Sequence, residues 1–224
     1  MPQAEQRSLE LRRYHPAMAK RVPLPLADYQ RVYQVIYSVV AAAEGQAHRA
    51  CSFFTIVGAM LLREHYKLEA TISAGLAVYQ LTPDNVLFFG RREGARLVAD
   101  GDSYHAWVEV DGFAVDFMAP LFADIAREEG MPRVPRRMFQ KPLAAMKGLD
   151  EIASPGDFML QHDSQTASDV IDHFGERAEH ADLMKVCQTW FEKPPRQPRQ
   201  MGIASSDGSR VMLTLRAPMI EGVW

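Results

Sequence analysis

The chain has 224 residues, 47% of them apolar and 24% charged, with a formal net charge of −3. This is the composition of one globular domain, occasionally two, and it gives no electrostatic reason to expect a nucleic acid or an anionic membrane as partner. Met1–Arg7 lacks the apolar core of a signal peptide, no apolar run reaches transmembrane length, and two cysteines, Cys51 and Cys187, are too few for a disulfide framework; a reducing, cytoplasmic location is therefore expected.

Residues 1–26 are polar, contain Pro16, Pro23 and Pro25, and read as an extended arm ahead of a single domain over 27–224. From Ala27 to Glu44, Tyr29, Val32, Tyr33, Ile36, Val39 and Val40 recur at helical spacing, with Asp28 as candidate N-cap and Gly45 as the stop. Gln46–Ala50 then connects to a second helix, opened by Cys51 and apolar almost all round through Leu62, the pattern of a central, buried helix. A thiol at a helix N-terminus meets unpaired N–H groups and a dipole that favour the thiolate, and the same N–H groups can hold an oxyanion. Read alone, Cys51 is equally a small buried hydrophobe.

Ala70–Leu81 is β-rich, Pro83-Asp84-Asn85 is a turn, and Val86–Gly90 is a short strand. Arg91–Asp102 is a charged connection, suited by its polarity to gate a neighbouring site. Tyr104–Asp116 then reads as a hairpin about Asp111-Gly112, a two-residue turn signal. That turn sets Val110 opposite Phe113 and Val108 opposite Val115. Since side chains alternate, Ala106, Val108, Val110, Phe113, Val115 and Phe117 form one apolar face. The other face carries His105, Trp107, Glu109, Ala114, Asp116 and Met118. His105 and Asp116 become diagonal neighbours, roughly 7–8 Å apart by backbone and within reach of each other's polar ends. The alternative is an exposed hairpin face with an incidental His and Asp.

Pro120–Glu129 is expected to be a short helix, and Met131–Arg137 a basic, proline-bearing loop, either a solvated connector or an anion contact. Asp157–Gln161 suggests a strand, and Ser164–Phe191 is helical with a break near Gly175; Cys187 shares an apolar face with Leu183, Val186 and Trp190 and reads as core. His162, Asp163, His173 and His180 fit no recognised ligand spacing, so no metal is expected, and the absence of a nucleotide fingerprint gives no cofactor. Lys193–Pro198 reads as a rigid linker, and Asp207-Gly208 precedes an edge strand over Val211–Leu215.

A cysteine opening a buried helix, then Ala74-Gly-Leu-Ala-Val-Tyr79, then His105-Ala-Trp-Val-Glu-Val110 and Val115-Asp-Phe117 resembles the transglutaminase-like superfamily, which belongs with the papain-like cysteine enzymes and includes the arylamine N-acetyltransferases. The resemblance covers residues 30–120 and is consistent with a small bacterial family within that group. It implies an α+β fold with a papain-like core over 27–130, in which a central N-terminal helix carrying the cysteine packs on an antiparallel sheet. Residues 131–224 would then be a C-terminal extension with additional helices. It also implies that Cys51, His105 and Asp116 form a catalytic triad. Papain-type enzymes place an oxyanion glutamine shortly before the cysteine; Gln46 is either that residue or an ordinary polar loop residue. Members often carry an aromatic residue before the cysteine, where this chain has Arg49 and Ala50.

The expected function is thiol-dependent acyl transfer on an amide, ester or thioester, with a peptide or a small acyl compound as substrate. Cys51 attacks, His105 carries the proton, Asp116 orients the imidazole, the Cys51 N–H with Gln46 holds the oxyanion, and Trp107, on the His105 face, either walls the cleft or simply packs. Hydrolysis is the default over transfer. The alternatives are a catalytically silent binding module on the same fold, or an arylamine N-acetyltransferase-like enzyme; a homo-oligomer is left open.

Overall fold

In the computed structural model, residues 22–43, 46–94, 96–192, 200–204 and 209–224 are described. Most of the expected N-terminal arm, Gly45, the Lys193–Pro198 linker and the Asp207-Gly208 turn lie outside these residues.

Helix α1, Leu26–Ala43, buries Tyr29, Val32, Tyr33, Ile36, Val39 and Val40 on one stripe. It begins when the Pro25 carbonyl accepts from the N–H groups of Asp28 and Tyr29. Asp28 is thus inside the first turn, where its charge still suits the dipole, and is not the N-cap. Helix α2, Cys51–Leu61, begins at the cysteine and is buried along nearly its whole length. It continues as a wider π-type turn over Leu62–Tyr66 and ends at left-handed Lys67.

Among the described residues the strands are, in chain order, β1 Thr71–Thr82, β2 Asn85–Phe89, β3 Arg91–Glu93, β4 Arg96–Val98, β5 His105–Val110, β6 Phe113–Asp116, β7 Arg137–Pro142, β8 Phe158–His162, β9 Gln200–Ala204, β10 Arg210–Thr214 and β11 Gly222–Val223. The remaining helices are α3 Phe122–Glu128, α4 Ser164–Glu176 and α5 Ala178–Phe191, the last two separated at Arg177. The architecture is α+β. The main sheet runs β11-β7-β6-β5-β1-β2, with β8 also paired to β1. Its pairs are antiparallel except β11 with β7, so the sheet is mixed. Helix α2 packs on β5, α4 packs on β1, and α5 packs against α1 and α2.

The β5–β6 register matches the turn arithmetic: Val110 faces Phe113 and Val108 faces Val115, about an Asp111–Gly112 turn with φ of 52° and 80°. The alternative of an exposed hairpin face does not hold, because His105 is 0% and Asp116 1% exposed. Residues 131–224 extend the sheet of the core. Strand β7 pairs β6 and β8 pairs β1, so these residues supply two strands of the central sheet.

Strand β1 prepares the site by its pairings. Gly75 pairs with both His105 of β5 and His162 of β8, while Ala77 pairs with both Phe89 of β2 and Leu160 of β8. A strand has two edges, so β5 and β2 lie end to end along one edge of β1 and β8 lies along the other. His105 therefore opens β5 where β2 ends, and its ring stacks on Phe89 with centroids 4.2 Å apart.

Candidate active site

Three elements deliver three side chains to one place. Cys51 is the first residue of α2, His105 the first of β5, and Asp116 the last of β6. Helix α2 lies close against the hairpin because it has a glycine at the contact. A Cβ on Gly58 would sit 2.4 Å from the Phe117 ring, one residue beyond Asp116. The N–H groups of the first helical turn, beginning at Cys51, have no partners within the helix.

His105 Nε2 is 2.7 Å from Asp116 Oδ2. The same oxygen accepts from the Tyr79 hydroxyl at 3.0 Å, and Oδ1 accepts from the Met118 backbone N–H at 2.9 Å. The Tyr29 hydroxyl donates to the Asp116 backbone carbonyl. With Nε2 engaged by Asp116, Nδ1 is the ring's other hydrogen-bonding atom; it is buried without a conventional partner. Cys51 lies near enough to this ring to help raise its pKa, and Nδ1 is the ring atom without a partner.

Burial works against a charged imidazole. The Asp116 carboxylate and, behind it, Cys51 outweigh that effect and push His105 up to about 9, so it holds its proton at neutral pH. Burial, then Asp116, pushes the Tyr79 phenol well above its ordinary value, so it stays a donor. Tyr104 is pushed up to about 12 by burial and the neighbouring Cys51, with a Ser52 hydrogen bond acting the other way.

Cys51 opens onto a cleft of about 410 Å³. Phe89 and Tyr104 form part of its wall, and they are the two ends of the Arg91–Asp102 connection, which is a β3–β4 hairpin tied by Arg91 to Glu93 and Asp100. Met118 and Ile125 add apolar surface; His48, Arg49, Glu128 and Glu129 supply the polar part. His48 Nε2 lies 3.0 Å from Glu128 Oε2, which joins the segment before Cys51 to the end of α3.

Cys51, His105 and Asp116 thus converge, and two other expected site residues do not. Gln46 is exposed and lies outside the cleft wall, because the turn Ala47–Arg49 separates it from Cys51 and presents His48 and Arg49 instead. Trp107 is 1% exposed, with its Nε1 donating to Glu109 Oε1 at 3.0 Å; it packs and does not wall the cleft. Cys187 is fully buried, and burial pushes its thiol up. Among the histidines weighed for a metal, His180 is buried against Phe174 and Phe53 while His173 bonds the Asp169 carbonyl on the exposed side of α4. In the basic loop, Arg136 makes paired contacts to Asp124 at 2.5 and 2.7 Å, a structural tie to α3. Sequence reasoning missed Tyr79 and Tyr104. The signal for Tyr79 was its even offset from Gly75, which shares the His105 face only once β1 and β5 are paired.

A family model described as a protein of unknown function, DUF2026, matches residues 25–224. The chain belongs to the DUF2026 family. This DUF2026 member is also similar to one solved structure, described as the crystal structure of a genomics target: identity is 31%, the TM-score is 0.78, and the match covers 91% of this chain and 98% of the other. No curated protein matches the chain. Among the described residues, no helix of this DUF2026 member is long and apolar enough to cross a membrane.

Proposed function

We propose that the chain is a thiol-dependent acyl-transfer enzyme with a papain-like, transglutaminase-like core. Cys51 is its nucleophile, His105 its proton carrier and Asp116 the group that orients His105. The observation that carries this reading is one buried imidazole tied to a carboxylate through Nε2 while Nδ1 has no partner. Asp116 holds Nε2 at 2.7 Å, and the ring's remaining nitrogen is left to the Cys51 thiol at the floor of a cleft. The raised His105 pKa supports Nδ1 as the acceptor of the thiol proton when Cys51 attacks.

The chemistry follows from that state. The Cys51 sulfur attacks the acyl carbon, and negative charge develops on the former carbonyl oxygen. That oxygen meets the free N–H groups at the start of α2. As the intermediate collapses, the carbon–leaving-group bond breaks and His105 gives its Nδ1 proton to the leaving group. Water then attacks the thioester, His105 accepts the proton of that water, and the departing thiolate takes a proton back from His105. An amine in place of water gives transfer instead. The apolar walls, Phe89, Tyr104, Met118 and Ile125, suit an acyl group of small-molecule or single-side-chain size. A reducing, cytoplasmic compartment is the setting such a thiol needs.

The test uses p-nitrophenyl acetate and a simple acyl thioester as probes. Wild-type protein is expected to release one equivalent of leaving group in a burst, followed by slower turnover. Cys51→Ser should abolish both phases, and His105→Ala should reduce acylation by ~10²-fold or more, with an unchanged far-UV spectrum. Folded wild-type protein that shows no Cys51-dependent release with either probe contradicts the reading and leaves the cleft as a binding site.

A further inference from the structure

We infer that Tyr79 is a positioning residue of this site: its phenol shares the Asp116 carboxylate with His105 and so sets how strongly that carboxylate holds the imidazolium. The inference rests on the acyl-transfer reading and extends it to a residue outside the three-part cluster.

The geometry is specific. Tyr79 Oη donates to Oδ2 of Asp116 at 3.0 Å, and His105 Nε2 meets that same oxygen at 2.7 Å. Met118 N–H takes Oδ1 at 2.9 Å. Three donors therefore fix the rotation of a carboxylate that has almost no exposure. The Tyr79 side chain is itself held. It belongs to the part of β1 paired on both edges, opposite Leu87 of β2 and Phe158 of β8. Its ring meets His105 edge-on with centroids 5.8 Å apart, and Phe122 and Phe139 pack on it at 4.7 and 5.1 Å. A tyrosine wedged this firmly supplies a donor whose position does not relax when charge on the imidazole changes.

The consequence has a sign. A hydrogen bond to Oδ2 draws negative charge away from the oxygen that stabilises the imidazolium. Removing the phenol oxygen returns that charge to the Asp116–His105 pair. His105 then holds its proton to higher pH, while the carboxylate loses one of its three restraints. Tyr29 provides the comparison, since its hydroxyl donates to the Asp116 backbone carbonyl and not to the carboxylate.

The experiment measures the rate of Cys51 alkylation by iodoacetamide against pH, which needs no substrate. Wild-type protein is expected to show an inflection that coincides with the titration of the His105 ring, and His105→Gln should leave only the ordinary thiol ionisation. Tyr79→Phe, folded by near-UV spectrum, should move that inflection upward by at least several tenths of a pH unit, whereas Tyr29→Phe should leave it in place. A titration of the His105 ring by NMR in the same variants provides a second reading of the shift. A wild-type inflection that Tyr79→Phe leaves unmoved or lowers overturns the inference alone, as does an equal shift in Tyr29→Phe. A wild-type profile with no His105-dependent inflection overturns the thiol–imidazole reading and the inference together.

Discussion

At His105, burial and charge pairing act in opposite directions. Full burial disfavours its charge, yet Asp116 at 2.7 Å and the Cys51 thiol favour it more, and the folded pKa rises from 6.5 to about 9. A group whose pKa is higher in the folded state contributes stability that is fully present below pH 6.5 and is lost as pH rises through about 9. That contribution is ~3 kcal/mol at about 1.4 kcal/mol per pKa unit. Denaturant titrations of wild-type protein should therefore show stability falling between pH 6.5 and 9, and His105→Gln should flatten that slope. A wild-type slope no steeper than the variant's would mean that the imidazole is neutral in the folded protein. The pairing of His105 with Asp116 was legible from the chain because Asp111-Gly112 admits one register and alternation does the rest. What covers a strand face was not legible. Trp107 lies two residues from His105 on the same face, but Glu109 takes its indole N–H and the packed core takes its ring. Gln46 failed for a local reason, since the turn over Ala47–Arg49 carries His48 and Arg49 towards the cleft in its place.

The element that matters most is α2. Its all-round apolar character announced a buried helix, and its start at Cys51 followed from the preceding breaker and loop. Its distance from the sheet depends on Gly58, because a methyl group there would meet the Phe117 ring at 2.4 Å. Alanine is the better helix former by about 1 kcal/mol, but overpacking of this kind typically costs about 1–3 kcal/mol. Gly58→Ala should therefore lower stability by up to ~2 kcal/mol, seen as a lower denaturant midpoint at an unchanged m-value. It should also slow Cys51 chemistry by moving the helix from the hairpin. A variant as stable as wild type would show that the helix–hairpin contact is loose. Strand β7 was hidden in the sequence for a different reason. Its Arg-Met-Phe-Gln-Lys-Pro sequence has weak alternation, and its buried Gln140 is tolerated because the backbone of Leu24, far away in the chain, bonds the amide.

At the scale of the whole molecule, residues on both sides of position 130 build one sheet. Residues after 130 supply β7 and β8 to the central sheet, and α4 and α5 pack over β1, α1 and α2. Local signals, such as turns, caps and periodicity, identified most elements between Leu26 and Asp116. Non-local pairing determined everything else, including the end-to-end placement of β2 and β5 that seats His105 against Phe89. The result is one free thiol beside the imidazole and one sealed in the core, Cys51 and Cys187. The most direct test of the account exploits that contrast. Native protein is treated with an acyloxymethyl ketone probe and mapped by peptide mass spectrometry. An adduct is expected on Cys51 alone, lost in His105→Ala and absent from Cys187 until the protein is unfolded. An unmodified Cys51 in folded protein, or one modified equally fast without His105, would contradict it.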